Sequence, residues 1–297
     1  MSDTPGFGTV AVVGAGTMGA GIAQVCAAAG STVRLTDATQ EFLDRGMAGI
    51  TAFLDKGVAR GKTTAEEKAA TLSRLRGELD LAAAVDGADL VIEAVPEDLA
   101  LKIDLFGRVA AACSADTVLA TNTSSLAVAK IFAELPSPER GLGMHFFNPP
   151  PLMPLLEIVR TGLTDAAVLE SVVAYARELG KEPIVVKDSP GFASSRLGVA
   201  LGLEAIRMVE EDVAAPEDID KAMELGCRHP MGPLKTTDYV GLDVRLASQE
   251  WKVHLDSQAS LDYTISRSSW IADFPHTRHT AQMNVMRIRL KARKSGW

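Results

Sequence analysis

TVAVVGAGTMGA, residues 9–20, decides the fold. Thr9 to Val13 is short, apolar and β-branched, the composition of a buried strand. Gly14-Ala15-Gly16-Thr17-Met18-Gly19 follows at once, and Ala20 to Ala29 then reads as a small-residue apolar helix with Gly30 as its C-cap. Val33 to Thr36 is a second strand, and Asp37 stands at its end. A G-x-G-x-x-G between a strand and a helix, with an acidic residue closing the next strand, is the pattern of a dinucleotide site. Gly14 permits the tight turn, Gly16 lets backbone approach a pyrophosphate, and Gly19 lets helix and strand pack closely. Thr17 and Met18 lie in the first turn of the helix, whose free N–H groups and positive dipole end suit phosphate. A turn that merely needs glycine is the alternative; the coincidence of every part of the pattern argues against it. Asp37 is placed to accept hydrogen bonds from a ribose diol. Its charge would repel a 2′-phosphate, and Ala38 and Thr39 offer no arginine to bind one, so NAD is favoured over NADP.

Outward from this core, Phe42, Leu43, Met47, Ile50, Phe53, Leu54 and Val58 recur at roughly helical spacing, Gly61 breaks the pattern, and Thr64 with Glu67 forms a capping-box signature. Two helices are therefore expected over 39–76. Strands are expected at Asp89 to Glu93, Thr117 to Ala120, Leu142 to Phe147, Leu155 to Val159 and Pro183 to Val186, with helices near Leu99 to Cys113, Leu126 to Leu135 and 165–180. Strands alternating with helices predict a doubly wound, mostly parallel α/β sheet with an inserted helical hairpin, a Rossmann-type arrangement. After Lys187-Asp188-Ser189-Pro190-Gly191 the pattern becomes helical only, with stripes at Leu197 to Val209 and Pro216 to Leu225, so an all-helical second domain is expected over 189–297 after a first over 1–188.

Composition narrows the function classes. Hydrophobic residues make up 47% and charged residues 23%, which is globular rather than disordered. A net charge of −8 argues against a nucleic-acid partner. Cys26, Cys113 and Cys227 are far apart and odd in number, so neither a disulfide framework nor a zinc site is expected. Met1 to Gly8 carries no secretory pattern, and no apolar run is long enough to span a membrane; a cytoplasmic protein without membrane partner is the expectation.

Two further constellations bear on chemistry. His145 ends one strand and Glu157 lies in the next, with a Pro-rich reversal at Pro149 to Pro154 between them. Apolar neighbours on both sides make an unpaired Glu157 costly, and His145 is the obvious partner. A carboxylate on one ring nitrogen fixes the tautomer and favours imidazolium, leaving the other nitrogen to take a proton, as oxidation of a secondary alcohol requires. A satisfied core histidine beside a strand glutamate is the equally open alternative. Thr121-Asn122-Thr123-Ser124-Ser125 follows a strand, where ligands of open α/β sheets bind. Ser124 or Ser125 could equally cap the helix that follows.

VAVVGAGTMGAGIAQVCAAAG, IEAVPEDLALK, TNTSSL, GMHFFNPPPLMPLLEIV, KDSPGF and HPMGPLKTTDYVGLD, in this order over about residues 9–246, resemble the 3-hydroxyacyl-CoA dehydrogenase family, including its short bacterial 3-hydroxybutyryl-CoA members. HFFNP with a glutamate twelve residues after the histidine is the most specific part. The resemblance implies an NAD-dependent oxidoreductase of fatty acid β-oxidation that interconverts 3-hydroxyacyl-CoA and 3-ketoacyl-CoA. It implies His145 as base, Glu157 as its orienting partner, and Ser124 as a hydrogen-bond partner of the reacting oxygen. It places Asp37 on the adenosine ribose and Glu97, Lys102, Asn122 and Asn148 on the nicotinamide side, with the hairpin at 39–76 helping to hold CoA. Lys56, Arg60 and Lys62 could meet the CoA phosphates or form a solvated helix face. Ser195 stands where the family often has asparagine in Pro190-Gly191-Phe192-Ala193-Ser194-Ser195-Arg196, and it reaches less far toward the same oxygen. A non-enzymatic protein of the lambda-crystallin kind is the alternative on this fold.

The recognisable pattern stops near Ala247. All three tryptophans, Trp251, Trp270 and Trp297, fall beyond it, and 257–281 has no sustained helical period. A divergent but well-packed tail is one reading; a shifted reading frame over part of the gene is the other, and it covers both the lost pattern and the changed composition. In the family the second domain covers the substrate cleft and makes the homodimer contact, so a homodimer is expected if that domain folds.

Overall fold

The computed structural model describes residues 6–240. Its strands are β1 (Thr9–Val13), β2 (Thr32–Thr36), β3 (Leu75–Gly77), β4 (Leu90–Glu93), β5 (Val118–Thr121), β6 (Gly141–Phe146), β7 (Leu155–Arg160) and β8 (Glu182–Lys187). They form one sheet in the order β3-β2-β1-β4-β5-β6-β7-β8. Every neighbouring pair is parallel except β6 and β7. From β1 the chain builds outward first on one side and then on the other. The crevice beyond the carboxyl ends of β1 and β4 is therefore the switch point where such sheets bind ligands.

The central strands read as continuous apolar runs because both faces are covered. Val10, Val12, Leu90 and Ile92 pack on one side with Ile22, Leu43, Ile50 and Tyr175. Their sequence neighbours Ala11, Val13 and Val91 pack on the other with Phe106, Val109, Ile131 and Phe132. The first layer is supplied by α1 (Thr17–Ala28), α2 (Gln40–Ala59) and α7 (Ala166–Glu178), and the second by α5 (Leu99–Ala112) and α6 (Val128–Phe132). Short polar side chains open most of these helices. Thr39 caps α2, Asp98 caps α5 and Asp165 caps α7. Thr64 and Glu67 form the expected reciprocal capping box on α3 (Ala65–Ser73).

Several local readings are corrected. The three-residue β3 and the five-residue α4 (Leu81–Val85) are not among the expected elements; both are too short to show a period. The helix expected over 126–135 is only Val128–Phe132, and neither Ser124 nor Ser125 caps it. Asp188, sixty residues on, accepts the Val128 and Ala129 N–H groups at 3.2 and 2.8 Å instead.

The described residues divide into two units, one ending at Ala193 and the other beginning at Ser194. The described part of the second contains α8 (Ser194–Glu210), α9 (Pro216–Lys221), a π-helical turn at Ala222–Gly226 and α10 (Pro233–Val240). Buried Asp220 caps α10 through the Leu234 N–H at 2.8 Å. Gly232 must be glycine beside it, since a Cβ there would lie 2.2 Å from the Asp220 carboxylate. The expected departure from the family after Ala247 lies outside the described residues. Among the described residues no helix is long and apolar enough to cross a membrane.

Candidate active site

The glycine-rich turn is shaped by close approach. Gly14 has φ +104°, and a Cβ on it would lie 2.6 Å from the Ala94 carbonyl oxygen. A Cβ on Gly19 would lie 1.7 Å from the Gly14 carbonyl oxygen, so α1 and the end of β1 pack only with glycine there. At Gly16 a Cβ would meet nothing within 4 Å, leaving the backbone open to a ligand. Helix α1 opens at Gly16 without a side-chain cap and without an acidic residue in its first turn, so Thr17 and Met18 sit where its N–H groups and dipole face outward. Asp37 Oδ2 accepts the Ala15 N–H at 2.6 Å and Oδ1 accepts the Ala38 N–H at 2.7 Å, which fixes the carboxylate beside the turn. Each oxygen keeps a lone pair for a diol. A cradle of open backbone with a fixed carboxylate at its end fits NAD.

At the same edge of the sheet, β6 and β7 put His145 directly opposite Glu157. His145 Nδ1 lies 2.7 Å from Glu157 Oε2; the side chains are 8% and 0% exposed. Glu157 Oε1 accepts the Ala193 N–H at 3.2 Å, so the carboxylate is held from both sides. An ionised carboxylate has no proton to give, so Nδ1 carries the hydrogen and Nε2 carries the lone pair. Phe147 and Phe192 flank the imidazole at centroid distances of 4.6 and 5.7 Å, an apolar setting for its ring. The turn between the strands contains the cis peptide Asn148–Pro149, with Asn148 exposed. Buried Lys181 braces it, donating to the carbonyls of Pro150 at 2.6 Å and Met153 at 2.9 Å, and burial holds its ammonium pKa below the ordinary lysine range.

The loop after β5 is organised by a carboxylate. Glu97 Oε1 accepts from the Thr123 hydroxyl at 2.6 Å, the Ser124 N–H at 3.0 Å, and the Ser125 N–H and hydroxyl at 3.1 and 3.0 Å. Burial alone would raise the Glu97 pKa; the bonds from Thr123, Ser124 and Ser125 and the Lys102 charge outweigh it and hold the carboxyl below its ordinary value. Asn122 Oδ1 accepts the Phe146 N–H at 2.8 Å, tying this loop to the residue after His145. Lys102 is 1% exposed and lies 2.5 Å from Glu93 Oε1 and 3.5 Å from Glu97 Oε2. Among the expected site residues of the first unit, the structure thus joins Glu97, Lys102 and Ser124 in one network and His145 with Glu157 in a pair, while Asn122 touches both loops. Ser195 lies half-buried in α8, within the second unit. Lys56, Arg60 and Lys62 are exposed. Sequence reasoning missed Glu93, Thr121 and Lys181. For Glu93 the signal was present: an acidic residue closing the apolar run Asp-Leu-Val-Ile-Glu needs a partner, the same argument that picked out Glu157.

A dinucleotide cradle and a buried histidine–carboxylate pair at one edge of a doubly wound sheet define an NAD-dependent dehydrogenase. Residues 9–189 match the model of the 3-hydroxyacyl-CoA dehydrogenase NAD binding domain, and residues 191–274 match its C-terminal domain, past the point near Ala247 where recognisable motifs end. The chain belongs to the 3-hydroxyacyl-CoA dehydrogenase family. It is 46% identical over 240 residues to the mitochondrial hydroxyacyl-coenzyme A dehydrogenase of Rattus norvegicus, covering 79% of this chain and 76% of that one. It is 41% identical over 238 residues to 3-hydroxybutyryl-CoA dehydrogenase of Clostridioides difficile, covering 80% and 84%. The crystal structure of (S)-3-hydroxybutyryl-CoA dehydrogenase from Ralstonia eutropha superposes with a TM-score of 0.81 at 39% identity, covering 84% and 87%.

Proposed function

We propose that the chain oxidises the 3-hydroxyl of a 3-hydroxyacyl-CoA to the 3-ketone with NAD, and catalyses the reverse, with His145 as the acid–base group. The observation that carries this reading is the 2.7 Å contact between His145 Nδ1 and a wholly buried Glu157. With Nδ1 engaged, Nε2 takes the hydroxyl proton, and the imidazolium that results is stabilised by the Glu157 carboxylate. NAD, when bound, supplies the acceptor for the hydride that leaves C3. Ser124 holds the reacting oxygen. Gly14, Gly16, Thr17, Met18 and Gly19 take the pyrophosphate, Asp37 takes the adenosine ribose, and Glu97, Lys102, Asn122 and Asn148 shape the nicotinamide end. Phe147 and Phe192 keep water from the imidazole.

The chain acts in the cytoplasm as a homodimer built on the second unit. Its described residues include the exposed apolar side chains Leu197, Leu225 and Tyr239, surface that favours association. No observation favours a non-enzymatic protein of the lambda-crystallin kind, since both members of the acid–base pair are in place. The test is oxidation of NADH by acetoacetyl-CoA. Turnover is expected in the native chain, with a loss of about 10²–10⁴-fold in His145→Gln. Retention of more than about a tenth of the rate in that variant would sink the mechanism. A series of substrates from butyryl to palmitoyl length gives the chain-length preference.

A further inference from the structure

Glu93 closes β4 and is 0% exposed, yet it faces the ligand edge of the sheet rather than the middle of a strand. A carboxylate there is costly unless every lone pair is used. Oε1 accepts from the Val95 N–H at 2.7 Å and from Lys102 Nζ at 2.5 Å. Oε2 accepts from the Thr121 hydroxyl at 2.6 Å. Thr121 is the last residue of β5 and the first of the Thr121–Ser125 loop. Lys102 also donates to the Val95 carbonyl at 3.3 Å, and it stands 3.5 Å from Glu97, whose other oxygen gathers the Thr123 hydroxyl and the Ser124 and Ser125 N–H groups. Glu93 therefore reaches the loop by two independent routes. One is direct, to its first residue. The other runs through Lys102 and Glu97 to its third, fourth and fifth.

We propose that Glu93 is a positioning residue for the reaction: through Thr121 on one side and Lys102 with Glu97 on the other, it fixes the loop that presents Ser124. The Lys102 ammonium is enclosed between two carboxylates and is not a free ligand-binding charge. It transmits the placement of Glu93 to Glu97. A loop seated on fixed carboxylates keeps its hydroxyl in place before substrate arrives, and small misplacement of such a group is expensive in rate. The effect on turnover rests on Ser124 touching the reacting oxygen, as argued above; the effect on the loop does not.

The experiment is a double-mutant cycle between Glu93→Gln and Ser124→Ala, read by acetoacetyl-CoA reduction, NADH affinity and amide hydrogen exchange. Glu93→Gln is expected to lower kcat at least tenfold, to leave the NADH dissociation constant within about threefold, and to speed exchange at the Ser124 and Ser125 amides about tenfold or more. In the Ser124→Ala background the same change should cost less than about threefold in kcat, because the group it positions is already gone. Losses that multiply in full, or unchanged exchange at 124 and 125, overturn the proposal. Should Glu93→Gln fail to fold, Thr121→Val removes one route while keeping the side-chain shape. It is expected to show the same non-additivity with Ser124→Ala and faster exchange at the same amides, and additivity there is equally fatal. If Ser124→Ala alone keeps full activity while Glu93→Gln still loosens the loop, the role given to Ser124 falls and the positioning of the loop stands.

Discussion

The proposed reaction rests on one contact, between His145 and Glu157. Glu157→Gln keeps the shape and removes the charge that favours imidazolium. In that variant kcat should fall about tenfold or more while NADH binding is kept. Full activity would mean the carboxylate does no more than hold the ring. Asp37 carries a second prediction. Already fixed by the Ala15 and Ala38 N–H groups, its carboxylate cannot swing away from a 2′-phosphate. The native chain should favour NADH over NADPH by about tenfold or more in kcat/KM, some 1.4 kcal/mol. Equal values would overturn the reading of Asp37. Glu97 carries a third. Its folded pKa lies below the ordinary 4.5, so the stabilisation it gives is complete above that pH and is lost as the pH falls through the lower folded value. Stability against acid should therefore fall less steeply below pH 4.5 in Glu97→Gln than in the native chain, measured by urea unfolding at each pH. Parallel curves would show that the four hydrogen bonds do not favour the ionised form.

Elements were legible in the sequence in proportion to their length and to how local their determinants are. The glycine turn, α1, and the α2–α3 hairpin with its capping box announce themselves within a few residues of one another. The antiparallel β6–β7 pair was readable because a Pro-rich reversal separates a histidine and a glutamate that both need partners. What stayed hidden depends on distance. The helix α6 owes its opening to Asp188, and no local pattern around Ser124 could show that. Lys181 lies 28 to 31 residues from the carbonyls it braces and resembles any lysine after a helix. The Glu93 network was half visible: the charge at the end of an apolar strand was in plain sight, but its partners Lys102 and Thr121 become neighbours only when β4 pairs with β5 and α5 folds back. The capping role gives a prediction. Asp188→Ala leaves two N–H groups of α6 without their acceptor and should cost about 1 kcal/mol in chemical denaturation. An unchanged midpoint would show that solvent replaces the cap in full.

At the scale of the whole molecule, the cofactor cradle and the proposed dimer contact fall in different parts of the chain. The cradle and the acid–base pair both lie in residues up to 193, while the proposed dimer contact lies beyond. A homodimer predicts a mass in light scattering near twice the 31.4 kDa of the chain. A monomer at micromolar concentration would overturn it. The family model matches on to residue 274, past the last recognisable motif near Ala247, and residues 248–297 are the segment to follow by hydrogen exchange: strong protection throughout, with a stable dimer, would overturn the expectation that the ending departs from the family. The strand order has a further consequence. Every strand that frames the cradle is complete in sequence by Thr121, whereas His145 and Glu157 follow on β6 and β7. As the chain leaves the ribosome, the apparatus for holding a nucleotide emerges first and the apparatus for moving a proton second. A nascent chain passes through a stage at which all the strands of its nucleotide cradle have been made and the histidine that would use the nucleotide has not.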